Sequence, residues 1–251
     1  MIRPTRLLPA MLIAALAGST FADTINGNFT GSVIGFGVNT TAGNYNVGAL
    51  RHNWSGGTGA AAAYVGSGIY TFCMDLSGAA SGSFSLIGVT AAPNAATGNW
   101  GNSGAHYTVE QEKRVNAIAI AARDLGYLNG LGQFTSASND AGVAIQLLVW
   151  ESLWESTAGA SWDVTSATGG SFRSFDVLNV SVTAIINSLT AAATSLYANA
   201  STQILVRSFS STSSQDQMVL VPLPPAALAG LGTLAGVIGI GYIRRRRLAS
   251  L

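Results

Sequence analysis

Eighteen residues from Ala226 to Ile243 carry no charge, and four arginines, Arg244, Arg245, Arg246 and Arg247, follow at once. As a helix the run measures about 27 Å, enough to span the hydrocarbon core of a bilayer. A basic cluster directly after such a run holds that end in the cytoplasm. The sequence therefore predicts one C-terminal transmembrane helix over 226–243. At the other end, Arg3 and Arg6 precede the apolar run Leu7 to Ala17, and Thr20-Phe21-Ala22 offers small residues at the −3 and −1 positions of a cleavage site. That is the pattern of a secretory signal peptide over 1–22. Together the two ends predict an exported body over 23–221, held for a time at the membrane by its C-terminal helix.

The charge distribution follows the same partition. The chain of 251 residues has a formal net charge of +1, with only 9% Asp, Glu, Lys and Arg. Six of its twelve basic residues lie in the two ends, whereas all eleven acidic residues lie between Asp23 and Asp216, so the body carries −5. No Lys/Arg cluster in the body suits nucleic acid. A single Cys excludes an intrachain disulfide, and with two His it is too few for a zinc site. No metal or other cofactor is expected.

The body reads as an α+β domain, a β-rich sandwich- or barrel-like part with a helical subdomain. Residues 27–58 are rich in Gly, Asn and Thr and suggest short strands between turns, as in Ser32-Val33-Ile34-Gly35-Phe36. Strands are expected at Ile69 to Leu76 and Phe84 to Thr90, and a loop over 92–104. Val109 to Leu128 has helical spacing, with Val115, Ile118, Ala119 and Ala122 as its buried stripe and Glu110, Glu112, Lys113 and Arg114 on a wet face. Asn139 or Asp140 can cap a second helix running to about Ser156, and Thr183 to Asn199 gives a third. Gln203 to Phe209 and Gln217 to Val221 read as closing strands.

Val221-Pro222-Leu223-Pro224, the Gly/Ala/Leu helix and the terminal cluster Arg244-Arg245-Arg246-Arg247 resemble the PEP-CTERM sorting signal of Gram-negative bacteria, in its VPLPA-type variant. The resemblance covers 222–251 with Val221 before it. It implies cutting near the Pro motif by an exosortase-type membrane protease, with release from the inner membrane to the cell surface or the biofilm matrix. Leu223 stands where the commoner motif has Glu, and Pro225 where the variant has Ala.

Two segments of the body carry chemistry. Cys73 lies in Tyr70-Thr71-Phe72-Cys73-Met74-Asp75-Leu76, and an unpaired thiol is a liability in an exported protein. Gln146 lies in Val143-Ala144-Ile145-Gln146-Leu147-Leu148-Val149-Trp150, where a primary amide inside an apolar helix must find partners. Taken separately, each reads as a core residue. Together, Phe72-Cys73-Met74-Asp75 and Ile145-Gln146-Leu147-Leu148-Val149-Trp150 resemble the internal thioester domain of bacterial surface adhesins. The residue before Gln146 and Leu148 depart from the adhesin pattern, which has Thr and Ala there.

The resemblance implies a Cys73–Gln146 thioester that captures an amine or hydroxyl on a surface target, acting once rather than as a turnover enzyme. Tyr70, Phe72, Asp75 and Trp150 are the implied pocket. A cysteine hydrolase would need His52 or His106, both of which read as exposed loop residues. Glu151 and Glu155, one turn apart, read as a solvated helix face. The rival to the thioester is a non-covalent, exopolysaccharide-associated matrix protein with an inert Cys.

Overall fold

The structure is a computed structural model. It describes residues 23–220 except 42, 76–79, 93–105, 130–132, 137, 155–158, 160, 166–171, 173, 175, 199–205 and 212, and it leaves aside the side chains of residues 32 and 67. The expected signal peptide over 1–22 and the span 226–243 lie outside the described residues. So does the whole expected sorting signal, from Val221, Pro222, Leu223 and Pro224 to Arg244, Arg245, Arg246 and Arg247. Among the described residues, no helix is long and apolar enough to cross a membrane.

Six antiparallel strands close a barrel in the order β1-β2-β3-β6-β5-β4. They are β1 (Thr24–Thr40), β2 (Gly43–Ser55), β3 (Gly66–Cys73), β4 (Gly82–Ile87), β5 (Val206–Ser210) and β6 (Gln217–Leu220). β1 closes the barrel by pairing with β4 from Thr24↔Ser85 to Gly27↔Gly82. Three helices, α1 (Val109–Asp124), α2 (Asn139–Trp154) and α3 (Val180–Leu196), lie between β4 and β5 in the chain. They form a layer on the barrel, with α2 against β1, β2 and β3. The expected mixture of β and α parts is present, and its β part is a closed barrel.

The described residues of 27–58 depart from expectation. Instead of short strands between turns, β1 and β2 form one long hairpin running from Asn26↔Ser55 to Thr40↔Gly43, with a register shift between Phe29 and Val33. The glycines that suggested turns serve a close approach instead. A Cβ on Gly35 would stand 1.8 Å from the Val47 carbonyl oxygen, and one on Gly48 2.3 Å from that of Ile34. Gly142 of α2 comes equally near, its imagined Cβ 2.0 Å from the same Ile34 oxygen. Side chains at Gly35 and Gly48 would force β1 and β2 apart, and one at Gly142 would push the helix off the hairpin.

The helices match their predicted types, with shifted ends. α1 begins at a capping box, in which the Thr108 hydroxyl accepts from the Gln111 N–H and Gln111 Oε1 accepts from the Thr108 N–H. Arg114 is not on a wet face. It is buried and lies 3.5 Å from the carboxylate of Glu151, which is buried too, so Glu151 does not mark a solvated face either. A charge in that position is tolerated only when paired. Glu155 lies outside the described residues. Ser138, rather than Asn139 or Asp140, caps α2 by accepting from the Ala141 N–H at 3.4 Å. α3 starts three residues earlier than expected because the Asn179 side chain accepts from the Val182 N–H.

Candidate functional site

The site begins with a gap in the sheet. β2 and β3 pair from Trp54↔Gly66 to Leu50↔Thr71, and the pairing stops there. β3 runs two residues further along β6, with Phe72↔Met218 and Cys73↔Gln217. The Met74 N–H reaches the Asp216 carbonyl on the β6 side at 2.8 Å. Backbone groups alternate sides along a strand, so the N–H and C=O of Cys73 point the other way, toward an edge that β2 has left. Buried backbone groups of that kind need partners.

Gln146 supplies them. Gly142, Gln146, Trp150 and Trp154 recur every four residues and share one face of α2. Gly142 lets that face descend onto the hairpin, and the next turn puts the Gln146 carboxamide against the edge of β3. Its Oε1 accepts from the Cys73 N–H at 2.8 Å, and its Nε2 donates to the Cys73 carbonyl at 2.8 Å. The carboxamide thus stands in for the missing strand's peptide group. One turn on, Trp150 packs against Tyr45 and Phe172, with ring centroids 5.8 and 5.9 Å away. The next turn brings Trp154, whose Nε1 donates to the Met74 carbonyl at 3.0 Å. The two residues singled out in sequence, 73 positions apart, are therefore in direct contact.

The Cys73 side chain lies on the inner face of the barrel. Side chains alternate along β3. Ile69 packs into the barrel's aromatic interior, and Thr71 bonds to Gln217 inside. Tyr70 and Phe72 lie on the opposite, outer face, around Phe134 at 6.1 and 5.8 Å. They pack in the helix-facing core around Phe134, a cluster in which Cys73 also takes part. The thiol's polar neighbour is Gln217, whose Nε2 donates to Sγ at 3.9 Å. Burial pushes the Cys73 thiol far above its ordinary range, with the hydrogen bond from Gln217 opposing that shift and the charge of Asp75 adding to it.

Asp75 sits just past β3 and is fully buried. Its Oδ1 accepts from the Tyr107 hydroxyl at 3.2 Å and its Oδ2 from the Asp216 N–H at 2.8 Å. Asp216 accepts in turn from the Ser211 N–H at 2.9 Å. Burial raises Asp75 to about 6, held back by its hydrogen bonds from Asp216 and Tyr107. Burial, then the neighbouring Asp75 charge, raises Asp216 to about 8. The pair ties the end of β3 to the start of β6 beside the Cys73–Gln146 contact.

His52 is not a loop residue. It lies in β2, fully buried, where alternate burial of Leu50, His52 and Trp54 marks a strand. Its Nε2 is 2.7 Å from the Ala80 carbonyl and its Nδ1 3.2 Å from the Thr71 hydroxyl. Burial lowers its pKa, against hydrogen bonds to Ala80 and Leu50. His106 is exposed, with Nδ1 3.1 Å from the Ala92 carbonyl. Sequence reasoning missed the part of Thr71, Gln217 and Asp216 in the site and placed His52 in a loop. Period-two alternation offered a signal for two of them, since Thr71 falls two residues from Cys73, and His52 falls between Leu50 and Trp54.

Among the described residues, no three His, Cys, Asp or Glu side chains gather as a metal site. The chain matches no protein-family model, no curated protein and no solved structure.

Proposed function

We propose that this is an exported surface or matrix protein whose Cys73 and Gln146 join as an internal thioester and then capture an amine or hydroxyl on a surface target. The observation that carries this reading is the pair of reciprocal 2.8 Å hydrogen bonds between the Gln146 carboxamide and the Cys73 backbone. They fix the amide carbon beside the residue that bears the nucleophile. In the reaction the Sγ–Cδ bond forms and the Cδ–Nε2 bond breaks. The thiol proton leaves with the nitrogen as ammonia.

The Cys73 N–H already donates to Oε1, the atom on which negative charge grows in the tetrahedral intermediate, as an oxyanion donor should. Burial keeps water from hydrolysing the acyl bond before a target arrives. A target amine then attacks Cδ, and the thiol is released. The terminal segments support the cellular part of the proposal: a signal peptide over 1–22, and a sorting signal over 222–251 that an exosortase-type protease would cut.

A second reading is favoured by one observation. Both heavy atoms of the Gln146 amide are already bonded to backbone, and the thiol is held in its neutral form by burial. In that reading Gln146 only mends the sheet edge, Cys73 is inert, and the protein is a non-covalent, exopolysaccharide-associated matrix component.

Intact mass of the purified body separates the two. A mass short by one ammonia, restored to the full value in Cys73→Ala and in Gln146→Ala, is expected of the thioester. A full mass in the unaltered protein, with Cys73 taking up alkylating agent once the chain is unfolded, overturns it.

A further inference from the structure

We propose that Gln217 is a positioning residue for acyl transfer, holding an N–H donor on the Cys73 sulfur, and that Thr71 fixes its orientation from inside the barrel. The proposal rests on the thioester reading above and adds to it the group that manages charge on the sulfur.

The orientation of Gln217 is over-determined. Its Oε1 accepts from the Thr71 hydroxyl at 2.9 Å, and its Nε2 donates to the Gln215 carbonyl at 3.1 Å. A flipped amide would set an oxygen against the carbonyl of Gln215 and an N–H against a hydroxyl whose proton is already directed at it. The remaining Nε2 hydrogen therefore faces Cys73 Sγ, 3.9 Å away. His52 donates from Nε2 to the Ala80 carbonyl at 2.7 Å, and its Nδ1 lies 3.2 Å from the Thr71 hydroxyl, whose one proton goes to Gln217. The run from His52 through Thr71 and Gln217 to Cys73 crosses β2, β3 and β6. All four residues are buried, and polar groups in such a place need bonds or carry a penalty.

Such a donor matters at the sulfur because of how charge moves. When an amine attacks Cδ of Gln146, a C–N bond forms and the Cδ–Sγ bond breaks. The electron pair of that bond goes to sulfur, and the amine's surplus proton ends there as the thiol. An N–H at 3.9 Å bonds weakly to a neutral thioester sulfur and more strongly as the thiolate develops. That is an interaction larger in the transition state than in the ground state. The same donor aids thioester formation, which needs sulfur as a nucleophile in a site that otherwise disfavours its charge.

The test follows capture of methylamine by the purified body, read by intact mass over time, with thermal melts to confirm folding. The variants are Gln217→Met, Thr71→Val and Thr71→Ser. Losing the donor in Gln217→Met should slow capture roughly 10–100-fold, by analogy with removal of one donor from an oxyanion site. Thr71→Val, nearly the same shape without the hydroxyl, should slow it about tenfold, the worth of one hydrogen bond. Thr71→Ser restores the hydroxyl and should recover the rate. A folded variant that never loses ammonia, rescued in Thr71→Ser, supports the same role in the forming step.

Ammonia loss with unaltered capture rates in Gln217→Met and Thr71→Val overturns this proposal and leaves the thioester standing. Failure of Thr71→Ser to recover what Thr71→Val loses also overturns it, since packing rather than the hydroxyl would then be responsible. An unaltered protein of full mass overturns both readings together.

Discussion

The two ends of the barrel interior are built from different material. One end is an aromatic plug, with Phe209 ringed by Trp54, Tyr64 and Phe84 at centroid distances of 4.5, 5.1 and 6.4 Å. The other holds His52, Thr71, Gln217 and Cys73, with Asp75 and Asp216 beyond. The ring of His52 stacks on Trp54 at 4.9 Å and marks the seam. An aromatic core stabilises by burying area and tolerates no voids. A buried polar cluster gains little net stability, because each hydrogen bond only replaces one to water. A barrel that needed only to fold could carry the aromatic plug through. On the proposed function, the polar end acts on Cys73 rather than on stability.

The comparison breaks most sharply at Phe209. Phe209→Ala should cost about 3–5 kcal/mol, as truncation of a buried ring does. If the thioester forms as proposed, the folded fraction should still show the ammonia loss, because the proposed acyl chemistry uses no residue of the aromatic plug. Thermal unfolding with intact mass on the same sample checks both. If Phe209→Ala abolished the ammonia loss while still folded, the two ends would not be separable.

The opposite result is expected of Gln146→Ala. It leaves the Cys73 N–H and C=O without their partner on the β3 edge, at a cost of roughly 1–3 kcal/mol, part of which water entering the vacated space repairs. Its effect on the crosslink should be complete, with full mass and a thiol that titrates. A small loss in stability paired with a total loss of chemistry is the signature of the polar end. Equal and large losses in both would make Gln146 a mender of the sheet and nothing more.

How much of this could be read in the chain differs between the same regions. The types of the three helices and of β3 to β6 follow from periodicity, because one apolar face must be buried. The contact of Cys73 with Gln146 was expected only from the resemblance of their two segments to an adhesin thioester domain, since each residue taken alone reads as core. The long hairpin was not, because Gly35 and Gly48 read as turn formers when they are the small residues of a close crossing. Arg114 and Glu151 read as solvated because charge usually is. Their pairing across α1 and α2 is a tertiary fact that no local pattern carries. Nearness in sequence assigns Tyr70 and Phe72 to the thiol, although strand alternation turns them to the other face.

The smallest effect sharpens the comparison from the polar side. Asp75 and Asp216 take pKa values of about 6 and about 8 in the folded protein, above those of ordinary carboxyls. The folded state therefore binds these protons more tightly than the unfolded chain. The stability they contribute is fully present below the unfolded carboxyl range and is lost as pH rises through about 6 and then about 8. The melting temperature should fall from about pH 4 to about pH 8, less steeply below about 6.5, where His52, held neutral by burial, works the other way; Asp216→Asn, which cannot ionise, should remove the fall above about 6. For a domain of this size each kilocalorie corresponds to roughly 2–4 °C, which a melt resolves. Phe209→Ala should lower the whole curve without changing its slope, since the one titratable group of the aromatic end, Tyr64, is pushed by burial above its ordinary range and does not ionise there. A slope unchanged by Asp216→Asn would mean that Asp216 ionises freely, and that the polar end does not hold its charge out of water beside Cys73.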